Sequence, residues 1–178
     1  MQLSDRARKA LVFAAEAHAN QMDKGGAPYI SHPVAVAVAA VATMCDQFEY
    51  FGVSMLEYDD VFITGLLHDV VEDCGVSLDV IEKYFGKKVR DAVDGVTRRE
   101  TPEQKELYFD FVRRSKLNPI SHLIKIVDIE DNMRPERLNQ LPESERGVVE
   151  RYKKALAILM EREPHGTATV GCKETTAA

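Results

Sequence analysis

Apolar positions recur with helical spacing in almost every segment of this chain. Ala7, Ala10, Leu11, Ala14 and Ala15 share one side of a helix that Ser4 can cap and that runs to about His18 or Asn20. Asp23-Lys24-Gly25-Gly26-Ala27-Pro28 breaks it. Ser31 caps a second helix, with Pro33 in its first turn and Ala and Val through Met44. Its valines suit a strand, but its length favours a helix. Residues 45–58 read as a loop with a short helix. Asp59 or Asp60 opens an apolar run, Val61, Phe62, Ile63, Leu66 and Leu67, that leads into His68-Asp69-Val70-Val71-Glu72-Asp73; Gly75 helps to end it. Ser77 caps a short helix with Val80, Ile81 and Tyr84 on its apolar side, and Gly86 stops it. Residues 87–96 form another. Thr101-Pro102-Glu103-Gln104 is a start signal, with Gln104 in the capping-box position, for a helix carrying Leu107, Phe111 and Val112 inward. Asn118-Pro119 starts the next, with Leu123, Ile124, Ile126 and Val127 apolar. Pro142 begins the last long helix, which ends near Arg162. The pattern predicts an all-α fold in one domain over residues 1–163, followed by a small, polar, flexible tail over 164–178.

Composition narrows what such a chain does. Its 178 residues are enough to bury a substantial core, and with no Trp and few aromatics that core is expected to be aliphatic. A net charge of −6 argues against broad nucleic-acid binding, which needs a basic surface. A small phosphorylated substrate needs only a local cationic pocket. Cys45, Cys74 and Cys172 stand far apart, in neither a zinc spacing nor a disulfide framework. Reduced thiols in a cytoplasmic protein are the simplest reading, with Cys74 as a small hydrophobe. The N-terminus lacks the layout of a signal peptide. The longest apolar stretch, residues 34–44, is too short to cross a bilayer, so no membrane partner is expected.

The chemistry concentrates at residues 68–73. An adjacent His-Asp pair is followed one turn later by an adjacent Glu-Asp pair. Residues four apart share a helix face, which places His68 near Glu72 and Asp69 near Asp73. Unpaired charges are costly to bury behind an apolar run. A divalent metal resolves that conflict, because imidazole nitrogens and carboxylate oxygens are its ligands. One pair does not fill a coordination sphere. The best further donors are His32, at a helix start after the glycine loop, and Asp128, which interrupts the apolar run Ile124-Lys125-Ile126-Val127-Asp128. Two imidazoles and two carboxylates, with positions left for water, suit Mn²⁺ or Fe²⁺ better than a closed zinc site. Glu72 and Asp73 can then orient a water acidified by the cation and accept its proton.

Taken singly, each residue has a plainer reading. His32 can be a capping histidine and Asp128 a solvated acid. Glu72 and Asp73 can bond backbone amides or pair with a lysine. His18, on an alanine-rich helix, reads as a satisfied structural histidine. Arg98-Arg99, Lys87-Lys88 and Arg151-Tyr152-Lys153-Lys154 read as solvated faces, and His122 and His165 have no partner visible in the sequence.

Together these residues resemble the HD hydrolase domain of the RelA/SpoT alarmone family, in particular its single-domain small alarmone hydrolases. The likeness runs from about Ala14 to Glu161. It includes Ala17-His18 and Gln21, then Pro28-Tyr29-Ile30-Ser31-His32-Pro33 with Val36-Ala37, then Leu66-Leu67-His68-Asp69-Val70-Val71-Glu72-Asp73. Farther on come Phe85-Gly86, Val93-Asp94-Gly95-Val96-Thr97, and Ile124-Lys125 through Asp128 to Asn132-Met133-Arg134. The resemblance implies an all-helical HD-domain bundle, one Mn²⁺, and removal of pyrophosphate from the 3′ position of guanosine tetra- or pentaphosphate. It implies His32, His68, Asp69 and Asp128 as metal ligands and Glu72 and Asp73 as the water-activating pair. Lys24 and Asn132 match substrate-contacting positions, and Arg98 keeps a positive charge where the family usually has lysine. The synthetase and regulatory domains of the long family members have no room here, so synthesis of the alarmone is not expected.

Three places depart from the family pattern. Asp23 stands where an arginine often packs on the guanine base. Ile129-Glu130-Asp131 replaces Arg-Leu-His, which sets two extra acids near the expected position of a polyanion. Pro135 follows Arg134 where threonine is common. The leading expectation is a metal-dependent nucleotide phosphohydrolase. The alternatives are an HD module that binds a nucleotide without turnover, and a phosphohydrolase of another nucleotide such as NADPH.

Overall fold

A computed structural model describes residues 3–161 apart from Pro102. The described residues form α-helices and 3₁₀ turns, with isolated β-bridges at Met22–Pro28 and Glu100–Lys105. Helix α1 (Asp5–Ala17) starts where Ser4 accepts the Ala7 amide at 3.0 Å, and it buries Ala7, Ala10 and Ala14. Helix α2 (Ser31–Phe51) runs past Met44, with a kink at Gln47, so 45–51 continues the second helix where a loop with a short helix was expected. The core holds its end: Phe51 is buried and so is Val53 just beyond it. A 3₁₀ turn at Met55–Glu57 then leads into α3 (Tyr58–Leu67).

The single helix expected across His68-Asp69 is two. Helix α3 ends before the pair, and α4 (Val70–Cys74) begins after it. The Gly65 carbonyl, the acceptor that an unbroken helix offers the Asp69 amide, takes the His68 ring N–H at 2.8 Å. The Asp73 amide still reaches the Asp69 carbonyl at 2.9 Å, so the acid pair stays one turn away. Gly75 closes α4 with φ 67°, a left-handed conformation suited to glycine.

Helix α5 (Leu78–Phe85) is capped by Ser77, as expected, but buries Ile81 and Phe85, leaving Tyr84 exposed. Helix α6 (Lys87–Val96) matches its expected span. The start signal at 101–104 makes no helix. The chain folds back there instead, with the Glu106 amide on the Arg99 carbonyl and the Glu106 carboxylate on Arg114. Helix α7 (Tyr108–Ser115) therefore starts later; Phe111 and Val112 point inward and Leu107 does not. Helix α8 (Pro119–Asn132) begins as predicted, with Asn118 accepting the amides of Ile120 and Ser121.

Past α8, the short α9 (Pro135–Leu138) has Pro135 in its first turn, and a 3₁₀ turn at Glu143–Glu145 follows. Pro142 precedes that turn, and the last helix, α10 (Val148–Met160), starts later than expected. Its C-terminal carbonyls are held from outside. Lys116 donates to Ile158 and Glu161, and His122 donates to Leu159 at 2.8 Å, so His122 has a partner. Cys172, His165 and the expected tail over 164–178 lie outside the described residues.

The core is aliphatic and centres on α2 packed against α3 and α8. Each fully buried Leu or Ile there contributes about 1.5–3 kcal/mol of apolar transfer. One contact sets the spacing: a Cβ on Gly65 would lie 2.5 Å from the Ala37 Cα. Only glycine lets α3 approach the α2 backbone this closely. That approach brings the start of α2, with His32, beside the end of α3, with His68. No helix among the described residues is long and apolar enough to cross a membrane.

Candidate metal centre

Four sequence-predicted residues meet at the junction of α2, α3 and α8. His32, His68 and Asp128 each present a ligand atom within 4.8 Å of the others, and all three are buried. Asp69 Oδ2 lies 3.0 Å from His68 Nε2 and 3.7 Å from His32 Nε2. Asp128 Oδ1 lies 3.3 Å from His32 Nε2 and 3.8 Å from His68 Nε2. Both ring Nε2 atoms thus face the same two carboxylates.

Both ring Nδ1 atoms and both oxygens of Asp128 are held by other groups. His68 Nδ1 donates to the Gly65 carbonyl, and His32 Nδ1 donates to Asp131 Oδ2 at 2.7 Å. Each bond fixes its ring so that Nε2 points at the centre, the arrangement of a metal-ligating histidine. Asp128 Oδ2 takes the Lys125 ammonium at 2.9 Å, and its Oδ1 takes the Asn132 amide at 2.6 Å. Asp69 Oδ2 accepts from the Tyr29 hydroxyl at 2.6 Å. His68 Nε2 is buried and makes no hydrogen bond among the described residues despite its closeness to Asp69. A buried nitrogen aimed at carboxylates without a hydrogen bond fits a divalent cation, and the His₂Asp₂ donor set fits one as well.

Electrostatics shows how tightly these charges depend on each other. Burial resists a charge on His32, but Asp128 and Asp131 outweigh it and lift its pKa to about 9. His68 is raised likewise, against its burial, by Asp69. Burial pushes Asp69 up, yet His68 brings it down to about 2. Burial also opposes the Asp128 charge, but Lys125 and His32 hold its carboxyl well below the usual range. The acids demand positive charge here, and the ring nitrogens supply it when protonated. The same nitrogens, once deprotonated, are cation ligands.

Glu72 and Asp73 lie on the exposed rim, on α4. One Glu72 oxygen accepts the Arg98 backbone amide, from a distant segment rather than the next turn. Burial raises the Glu72 carboxyl, as it does that of Asp73, and the nearby Asp69 charge raises both further. His18 is buried against Cys74 and Gln21, the structural role expected of it. Cys74 is half-buried rather than fully enclosed.

A cavity of about 380 Å³ opens next to the centre. Tyr29 and Asn132 belong to both, touching Asp69 and Asp128 and lining the cavity wall. Lys24 lines it too, paired with Glu145. Arg98 does not; its Nε holds the Glu106 carbonyl at 2.7 Å. Asp23 also reaches the cavity, but its Oδ1 accepts the Gly25 and Ala27 amides and so shapes its own loop. Asp131, expected near a polyanion, is buried against His32 instead. Arg151, Lys153 and Lys154 are exposed, as expected of a solvated face, and Arg151 and the partly buried Tyr152 also line the cavity. Sequence reasoning missed the roles of Tyr29, Lys125 and Asp131. Only Lys125 left a signal, a lysine three residues before an acid on an apolar helix.

The sequence matches the family described as HD domain over residues 10–127. It is 33% identical over 134 residues to a guanosine-3′,5′-bis(diphosphate) 3′-pyrophosphohydrolase of Vibrio cholerae serotype O1, covering 71% of this chain and 17% of that one. It is 34% identical over 136 residues to the bifunctional (p)ppGpp synthase/hydrolase SpoT of Escherichia coli K12, covering 72% and 18%. The chain spans less than a fifth of the length of these curated relatives. A solved structure, described as a metazoan ortholog of SpoT that hydrolyzes ppGpp and plays a role in starvation responses, matches with a TM-score of 0.66. That match covers 90% of this chain and 88% of the other at 24% identity, and it establishes a shared fold. With most of its length matched, an all-helical core and a His-Asp pair facing a second histidine and aspartate, the chain belongs to the HD domain family.

Proposed function

We propose that this chain is a divalent-metal-dependent phosphohydrolase that removes the 3′-pyrophosphate from guanosine tetra- or pentaphosphate. The observation that carries this reading is the meeting of His32, His68, Asp69 and Asp128 beside the Glu72-Asp73 pair. The named activities of the relatives support the substrate. The proposed cation is Mn²⁺, with Fe²⁺ or another divalent ion able to take its place, because the donors are imidazole and carboxylate without thiolate. The HD unit is assigned to residues 1–163 and its location to the cytoplasm, in keeping with the free thiols of Cys45 and Cys74.

The cation, when bound, supplies positive charge for phosphoryl oxygens and lowers the pKa of a water. The chain does the rest. His32 and His68 offer Nε2 from rings fixed through Nδ1. Asp128 offers Oδ1 while Lys125 neutralises Oδ2. Glu72 and Asp73 orient the attacking water and accept its proton. The Arg98 amide anchors one Glu72 oxygen and leaves the other for that task. Lys24 and Asn132 contact the nucleotide from the cavity wall.

The test is turnover of a nucleotide panel with added Mn²⁺ and products identified by mass spectrometry. Release of pyrophosphate from guanosine tetraphosphate is the expected result. Tight binding with no release means a nucleotide-binding module. Preferential release of phosphate from NADPH assigns a different substrate.

A further inference from the structure

We infer that Arg151 is the cavity's anion-binding residue and takes a phosphate of the nucleotide other than the group cleaved, an inference that rests on the hydrolase reading above. The cavity wall carries three cations, Lys24, Arg137 and Arg151. Two are engaged. Lys24 pairs with Glu145, and Arg137 donates to Asn132 Oδ1 at 3.0 Å and lies 3.8 Å from Asp131 Oδ2. Arg151 has no carboxylate partner among the described residues.

Its contacts are aromatic. The Arg151 guanidinium lies over the Tyr108 ring, 4.9 Å from the centroid, and 5.8 Å from that of Tyr152. A guanidinium carries its N–H donors in its own plane. Contact with the two rings holds the guanidinium at the cavity wall, and no ion pair among the described residues takes its donors. Its fork of donors suits two oxygens of one phosphate. The need for such an anchor comes from the centre itself. Asp69, Asp128, Asp131, Glu72 and Asp73 gather there, so a polyanion must be held by cations elsewhere. Asn132 connects the two places, bonding Asp128 and lining the same cavity as Arg151.

The experiment measures what a phosphate adds to binding. Full-length protein treated with EDTA is titrated calorimetrically with guanosine and with guanosine 5′-diphosphate. Without a cation the acid-rich centre repels the diphosphate, so any added affinity comes from the cavity. Wild-type protein is expected to bind the diphosphate about 10- to 100-fold more tightly than guanosine, the range of a hydrogen bond to a charged group. Arg151→Gln should remove most of that difference, and Arg151→Lys should restore part of it. An equal difference in Arg151→Gln, or none in the wild type, overturns the inference. Turnover of guanosine tetraphosphate with Mn²⁺ separates the two proposals. If pyrophosphate is released but affinity does not depend on Arg151, the hydrolase reading stands and the phosphate anchor falls. Arg151-dependent affinity without release has the reverse meaning.

Discussion

At the metal centre nearly every polar atom answers to another. His32 is held by Asp131, His68 by the Gly65 carbonyl, Asp128 by Lys125 and Asn132, and Asp69 by Tyr29. In the cavity beside it, the polar side chains come from residues 23–29, the end of α8, the segment after it and α10, and Arg151 has no acidic partner among the described residues. The first region is buried and mutually locked, so its charges are fixed before any ligand arrives. The second is open, so its charge and shape can change without disturbing the core. A chain built this way can keep its chemistry while its specificity varies. The sequence departures fit that division. Asp131 lies in the locked region, where its carboxylate accepts the His32 N–H. Asp23 lies in the open region.

Breaking the locked region should have the largest consequence. Asp69→Ala is expected to cut Mn²⁺-dependent turnover by more than about a hundredfold, beyond the cost of losing an outer partner. Circular dichroism should stay helical; unchanged turnover would remove the metal-site argument. Gly65→Ala attacks the geometry instead. Its new Cβ would meet backbone, which cannot move aside as a side chain can. Urea denaturation should show a loss of about 1–3 kcal/mol or more. A neutral result would mean that α2 and α3 need not approach so closely.

Asp131→Ala tests whether the departure from the family pattern has work to do. Removing the His32 acceptor should weaken cation affinity by about 10- to 100-fold, measured by competition with a chelator. Asp131→Asn should cost less, because its amide oxygen still accepts from Nδ1. Equal affinities would reassign Asp131 to the open region. The smallest effect concerns the loop that supplies the Arg98 amide to Glu72. The Arg114 hydrogen bond holds the Glu106 carboxyl below its ordinary value. A carboxyl with a depressed folded pKa adds stability that is complete above its unfolded value, near 4.5. That contribution is lost as pH falls through the lower folded value. Acid unfolding of the wild type should therefore show this loss below about pH 4.5, and Arg114→Gln should remove it.

Much was legible because it is local. Ser4, Ser77 and Asn118 cap helices where their sequence neighbours demand it, and the apolar spacing of α3 and α8 sets their buried faces. The misread segments share one cause. Residues 45–51 stay helical because Phe51 packs into the core. Residues 103–107 stay out of a helix because Glu106 is drawn to Arg114 and Arg99. In both, a distant contact outweighs local propensity.

By itself, the sequence determined the all-helical architecture and singled out His32, His68, Asp69 and Asp128 as candidate cation donors. Helix formation and ligand type depend on residues near in sequence and on what each side chain is. Only the tertiary structure decided that the helix breaks at His68, that Asp131 serves His32, that Lys125 neutralises Asp128, and that Arg151 faces a cavity. Each of those outcomes depends on how close separate parts of the chain come, and the sum of core packing sets that distance.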